Sequence, residues 1–167
     1  MDDLAERALF ELAERVGAAL KSRAMMLATA ESCTGGWAGE AVTAVPGSSS
    51  WFDRGFITYS NQAKQEMLGV SAATLEQHGA VSEQTVREMA SGALNNSRAQ
   101  AALAISGIAG PSGGTAEKPV GTVWIAWAFA SGAVASEKQV FAGDRREVRQ
   151  RAVERVLQGL LELLPRM

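Results

Sequence analysis

The chain has 167 residues, 47% hydrophobic and 20% charged, with a net charge of −2 at pH 7 and one cysteine. That length supports one domain, 1–167, with a core that needs no disulfide or metal staple. The charge balance gives no general attraction to nucleic acid or an anionic membrane, and the lone cysteine excludes a disulfide framework and fits a reducing compartment.

In chain order, the acidic start MDDLAERALF lacks the basic residues and apolar stretch of a secretory signal, so a cytoplasmic location is expected. No apolar run approaches the roughly 18 residues of a membrane span. Leu4, Ala8, Leu12, Val16 and Ala19 recur at helical spacing and predict an amphipathic helix over 3–22. MMLATA (25–30) reads as a short buried strand, and 37–44 as a helix that stops before Pro46. WFDRGFITY (51–59) reads as a second strand, with NQAKQEML and SAATLEQHG as short helices after it. Ser82 is an N-cap for the helix EQTVREMASGALNNS. AALAIS (101–106) is a third strand, followed by the long loop GIAGPSGGTAEKPVG. TVWIAWAFA and AVASEKQVFA, joined at Ser131-Gly132, form a hairpin. Asp144 with Glu147 is a capping-box pattern, and the helix it opens runs to about Leu164. Strands alternating with helices and closing on a hairpin predict an α/β fold: a three-layer α/β/α sandwich with a mixed, mostly parallel sheet.

In such folds ligands lie at the carboxyl ends of the strands. Three loops there carry hydroxyl or glycine residues: ESCTGG, YSNQAK and SGIAGPSGG. Glycine lets backbone approach a ligand closely, so Gly35, Gly36, Gly107, Gly110, Gly113 and Gly114 suit an anion, although each loop could equally be a tight turn. None of them matches a phosphate-loop or dinucleotide fingerprint. Serine needs a base to become a nucleophile. The only histidine, His78, has no nucleophile beside it and reads as structural. Lys64, in the first turn of a helix, is an alternative base because the helix dipole disfavours its ammonium form. Tyr59 can relay a proton, whereas Ser48, Ser49 and Ser50 cannot be told apart. Cys33 reads as a packing residue. One Cys and one His cannot build a zinc site, so no metal is assigned. Of Arg145, Arg146, Arg149 and Arg151, one or two suit a phosphate and the rest a solvated face.

Taken together, AESCTGG, PGSSSWFDRGFITYSNQAK, GAVSEQTVREMASGA, SGIAGPSGGTAEKPVGTVWIA and GDRREVRQRAV closely resemble the C-terminal domain of the competence/damage-inducible CinA proteins. Stand-alone members of that family are nicotinamide-nucleotide amidohydrolases. The resemblance implies hydrolysis of nicotinamide mononucleotide (NMN) to nicotinate mononucleotide and ammonia, without an organic cofactor. It implies Ser48, Tyr59 and Lys64 as the catalytic group, and the choice of Ser48 rests on it alone. Substrate contacts are expected from Glu31, Ser32, Thr34, Gly35, Asn61, Ser106, Gly107, Gly110 and Arg145, with Glu31 alternatively a buried structural carboxylate. The rival readings are a non-catalytic nucleotide-binding regulatory module and deamidation of a smaller amide. The expected partner is a small nucleotide, with neither nucleic acid nor membrane. A homo-oligomer is expected, an apolar edge such as VWIAWAFA being one surface for it, although a buried central strand reads the same.

Overall fold

The computed structural model describes residues 3–167. Helix α1 (Asp3–Ser22), strand β1 (Leu27–Glu31), helix α2 (Trp37–Thr43) and a 3₁₀ turn (Ser48–Ser50) lead into strand β2 (Phe52–Ile57). Helices α3 (Asn61–Leu68), α4 (Ala72–His78) and α5 (Glu83–Asn95) follow. Strands β3 (Ala101–Gly107), β4 (Thr122–Phe129) and β5 (Val134–Val140) precede helix α6 (Arg145–Leu163), which runs into a second 3₁₀ turn (Leu164–Arg166).

The sheet order is β2-β1-β3-β4-β5. β1 pairs in parallel with β2 and β3, whereas β4 is antiparallel to both β3 and β5. The sheet is therefore mixed, and only β4 runs against the other strands. The tryptophan strand β4 lies between two neighbours and not at an edge. Its apolar character fits a strand largely buried between two helical layers.

A period of two sends alternate side chains to opposite faces, and here the two faces differ in size. Leu27, Leu103, Ile105, Ile125, Trp127 and Phe129 pack under α1, α2 and α6. Ala28, Ala30, Ala102, Ala104, Ala126 and Ala128 face α3, α4 and α5. The alanine face lets α5 lie close on β3 and β4. Where α5 crosses α3, Gly92 meets the Leu68 carbonyl so tightly that a Cβ would collide with it.

Helix starts follow the predicted caps. Ser82 Oγ accepts from the Thr85 amide, and Asp144 and Glu147 form both bonds of the capping box. The 3₁₀ turn at Ser48–Ser50 has no counterpart in the periodicity, because three residues are too few to show one. β1 is followed by α2 on the large-residue face and β2 by α3 on the alanine face. Neighbouring loops that leave for opposite faces open a crevice at the carboxyl ends of these strands.

Candidate active site

The crevice holds a cavity of about 280 Å³ at the ends of β1, β2 and β3. Lys64, in the first turn of α3, is its most buried charge, with 1% exposure. Its Nζ lies 3.0 Å from Ser32 Oγ, 2.9 Å from the Thr58 carbonyl and 3.5 Å from the Tyr59 carbonyl. Among the described residues no carboxylate pairs with it. Burial without a counter-ion holds its pKa below the usual lysine value.

Ser32 is the first residue past β1, and its amide donates to the Ile105 carbonyl at 3.0 Å, one rung beyond the β1–β3 ladder. The chain then turns sharply. The Gly35 amide donates back to the Ser32 carbonyl, and Gly35 and Gly36 take φ values of +59° and +105°. Such backbone is strained for any residue with a Cβ. Gly36 sits at the N-cap of α2 with no side chain to satisfy the first amides. Glu31 does that work from the strand. Its carboxylate accepts from Ala38 N (2.8 Å), Gly39 N (3.0 Å) and Thr34 Oγ1 (2.6 Å).

Three of the expected substrate contacts, Glu31, Thr34 and Gly35, lie outside this cavity, and Glu31 takes the structural role that was its alternative. Glu31 is occupied in holding α2 and does not line the cavity, and the Thr34 hydroxyl is spent on Glu31. Thr34 and Gly35 line a different cavity, of about 480 Å³, with Trp37, Arg146 and Arg149. Ser48 lies outside the Lys64 cavity as well. It lies in the 3₁₀ turn before β2, and the first residue of β2, Phe52, pairs with Leu27 at the start of β1. Ser32 and Lys64 stand past the opposite ends of these strands. The six residues of β2 therefore separate Ser48 from the lysine by ~20 Å at ~3.3 Å per residue. Strand direction puts Ser32, not Ser48, beside Lys64.

Tyr59, Asn61, Ser106, Gly107, Gly110 and Arg145 do line the cavity with Ser32 and Lys64. Tyr59 is 62% exposed, and its hydroxyl accepts from Arg145 Nη2 at 3.2 Å. Arg145, the first residue of α6, also donates Nη1 to the Gly110 carbonyl at 2.9 Å. Ser106 Oγ donates to the Ala80 carbonyl at 2.8 Å, fastening the α4–α5 connection to β3. At Gly107 a Cβ would stand 2.7 Å from Val123 Cγ2 and 3.0 Å from the Thr122 carbonyl, so no larger residue fits without a shift.

Sequence reasoning passed over Ala80, Val81, Ile108, Ala109 and Ser112, which complete the wall. Ala80 and Val81 arrive from between two helices and carry no local chemical signal. The Thr58 carbonyl was invisible because every residue has one. Cys33 lines the cavity too, but burial pushes its thiol up to about 11, only partly offset by the Arg149 charge, so it stays protonated. His78 lies outside, at the end of α4, where its carbonyl accepts from Lys118. Among the described residues no three or more His, Cys, Asp or Glu side chains are gathered as a metal set. Nor is any helix among them long and apolar enough to cross a membrane.

The family model described as the CinA C-terminal domain matches residues 9–164. The nicotinamide-nucleotide amidohydrolase PncC of Escherichia coli (strain K12) is 57% identical over 152 residues, covering 91% of this chain and 92% of that protein. The protein of the same name from Pseudomonas putida is 51% identical over 152 residues, or 91% and 94% of the two chains. The crystal structure of the competence/damage inducible protein CihA from Agrobacterium tumefaciens aligns with a TM-score of 0.91 at 47% identity, over 93% of this chain and 94% of that one.

Proposed function

The chain belongs to the CinA C-terminal domain family, and from that premise we propose that it hydrolyses the carboxamide of nicotinamide mononucleotide, yielding nicotinate mononucleotide and ammonia in pyridine-nucleotide salvage. One observation carries the chemistry: an unpaired buried lysine within 3.0 Å of a serine hydroxyl, in a cavity at the strand ends. The 57% identity to a nicotinamide-nucleotide amidohydrolase supports the substrate.

A neutral amine has two hydrogens and one lone pair. The Thr58 and Tyr59 carbonyls can only accept, so they take the two hydrogens and leave the lone pair for the Ser32 proton. As Ser32 Oγ attacks the carboxamide carbon, its proton passes to Lys64 and the carbonyl electrons move onto oxygen. Lys64 then returns that proton to the amide nitrogen. The C–N bond breaks, ammonia leaves, and an ester on Ser32 remains. Water, losing a proton to the again neutral Lys64, attacks the ester. Ser32 Oγ recovers the proton and nicotinate mononucleotide departs. No organic cofactor enters these steps.

Arg145 is the one lining cation besides Lys64, and it stands at the helix end that favours anions. It is the proposed partner of the substrate phosphate. Tyr59, held by Arg145, is assigned to help the proton reach the departing ammonia, and Asn61, Ser106, Gly107 and Gly110 to shape the surrounding wall. The unpaired Cys33 fits a reducing compartment, so the reaction is assigned to the cytoplasm.

The test is release of ammonia and nicotinate mononucleotide from NMN by the purified protein, with nicotinamide and its riboside as competing substrates. Turnover of NMN well above both supports the reading, and turnover of none of the three defeats it.

A further inference from the structure

The turn that carries Ser32 is gripped from two sides. Glu31 holds its inner side, as described above. On its outer side stands Arg149 of α6, 116 residues along the chain from Cys33. Arg149 Nε donates to the Cys33 carbonyl at 3.0 Å and Nη2 to the Thr34 carbonyl at 3.2 Å. Its guanidinium carbon lies 5.4 Å from the centre of the Trp37 ring, so it rests on the first residue of α2. Two of the three guanidinium nitrogens are thus spent on backbone, and the side chain borders the neighbouring cavity, not the one holding Lys64. Arg145 lies one helical turn earlier, on the same face. A single helix therefore fastens the Ser32 turn through Arg149 and the opposite wall, at Gly110 and Tyr59, through Arg145.

We propose that Arg149 is a positioning residue for the hydrolysis: by tying down the two carbonyls that follow Ser32 it holds Oγ against Lys64 Nζ, touching neither the substrate nor the reacting atoms. The inference rests on the Ser32–Lys64 reading above. The amide of Ser32 makes the last backbone hydrogen bond that the turn shares with the sheet. Beyond it come two successive glycines with positive φ, whose freedom in the unclamped state is the largest of any residue. A nucleophile must be held to a fraction of an ångström, and a displacement of ~1 Å can cost ~100-fold in rate. A planar, rigid fork that bonds two adjacent carbonyls at once removes that freedom, and stacking on Trp37 removes its own. Lysine brings one ammonium on a flexible stem instead of a planar fork, so it holds the pair less rigidly.

The test uses the full chain with Arg149→Met and Arg149→Lys, measuring steady-state NMN hydrolysis and amide hydrogen exchange. In Arg149→Met, kcat is expected to fall roughly 10- to 100-fold with KM little changed, and exchange to quicken at 32–36 but not in β1 or β3. Arg149→Lys keeps the charge and the stem and is expected to fall between; it carries the same test if the methionine variant does not fold. Unchanged kcat, a loss confined to KM, or unchanged exchange at 32–36 overturns the inference. So does exchange rising throughout β1 and α6, which would make Arg149 a residue of the fold alone. If the wild type leaves NMN intact, the functional reading fails separately, and exchange at 32–36 decides whether the clamp exists.

Discussion

Lys64 Nζ stands 3.0 Å from Ser32 Oγ, and its other contacts are two backbone carbonyls. An ammonium in that place has lost its water and gained no carboxylate. The cost of burying the charge is what frees the lone pair, so stability and reactivity are set by the same contact.

Removing either partner should stop the chemistry. Lys64→Ala is expected to lose roughly 10²–10⁴-fold in kcat for NMN, the usual range for a lost proton-transfer group, and Ser32→Ala, which removes the nucleophile, at least as much. Ser48→Ala should stay near wild type. Ammonia release from the three variants side by side decides between the two serines, and an inactive Ser48→Ala that remains folded would sink the present assignment.

The pH dependence follows from the lowered Lys64 pKa. Lys64 must be neutral to accept a proton, so kcat/KM should climb with pH through its folded-state pKa, below the ordinary 10.5. Stability should show the same group. Between the folded and unfolded values the unfolded chain holds the extra proton, so wild-type stability gains with rising pH over that window. Lys64→Met abolishes this titration. Urea unfolding at several pH values should show wild type improving relative to the variant as pH rises toward 10.5, and a pH-independent difference would contradict the assignment.

Glu31→Gln should be costly although Glu31 does not line the cavity. The carboxylate accepts from three donors, and an amide would turn an N–H toward one of them. A loss of roughly 1–3 kcal/mol is expected in chemical denaturation, together with reduced activity as the Ser32 turn loosens. A variant of wild-type stability would mean that α2 is capped otherwise.

The alanine face predicts intolerance of bulk. Ala102 is fully buried between β3 and α5, so Ala102→Leu should cost roughly 1–3 kcal/mol or more by overpacking. Thermal unfolding measures it. The same change on the far face, Ala135→Leu at the half-buried margin of β5, should cost less.

Much of the fold was legible in the sequence because its signals are local. Leu4, Ala8, Leu12 and Val16 announce α1 through a spacing set by helix geometry alone, and Ser82 and Asp144 announce their helices through bonds to amides three residues away. Lys64 and Tyr59 also stood out, since a lysine in a helix's first turn beyond a strand is unusual whatever surrounds it. The choice of serine could not be read this way. Ser32 and Ser48 both sit in small polar turns, and what separates them is that β1 and β2 run parallel, so the start of one strand pair lies far from its end. Glu31 likewise looks like a site residue until the return of α2 shows which amides its carboxylate meets. The sequence by itself determined the elements, their caps and the candidate base, because each depends on neighbours within a few residues. The tertiary structure alone decided which hydroxyl faces that base and which arginine grips the turn, because those contacts join residues 32 and 116 positions apart, brought together only by strand order and the return of α6.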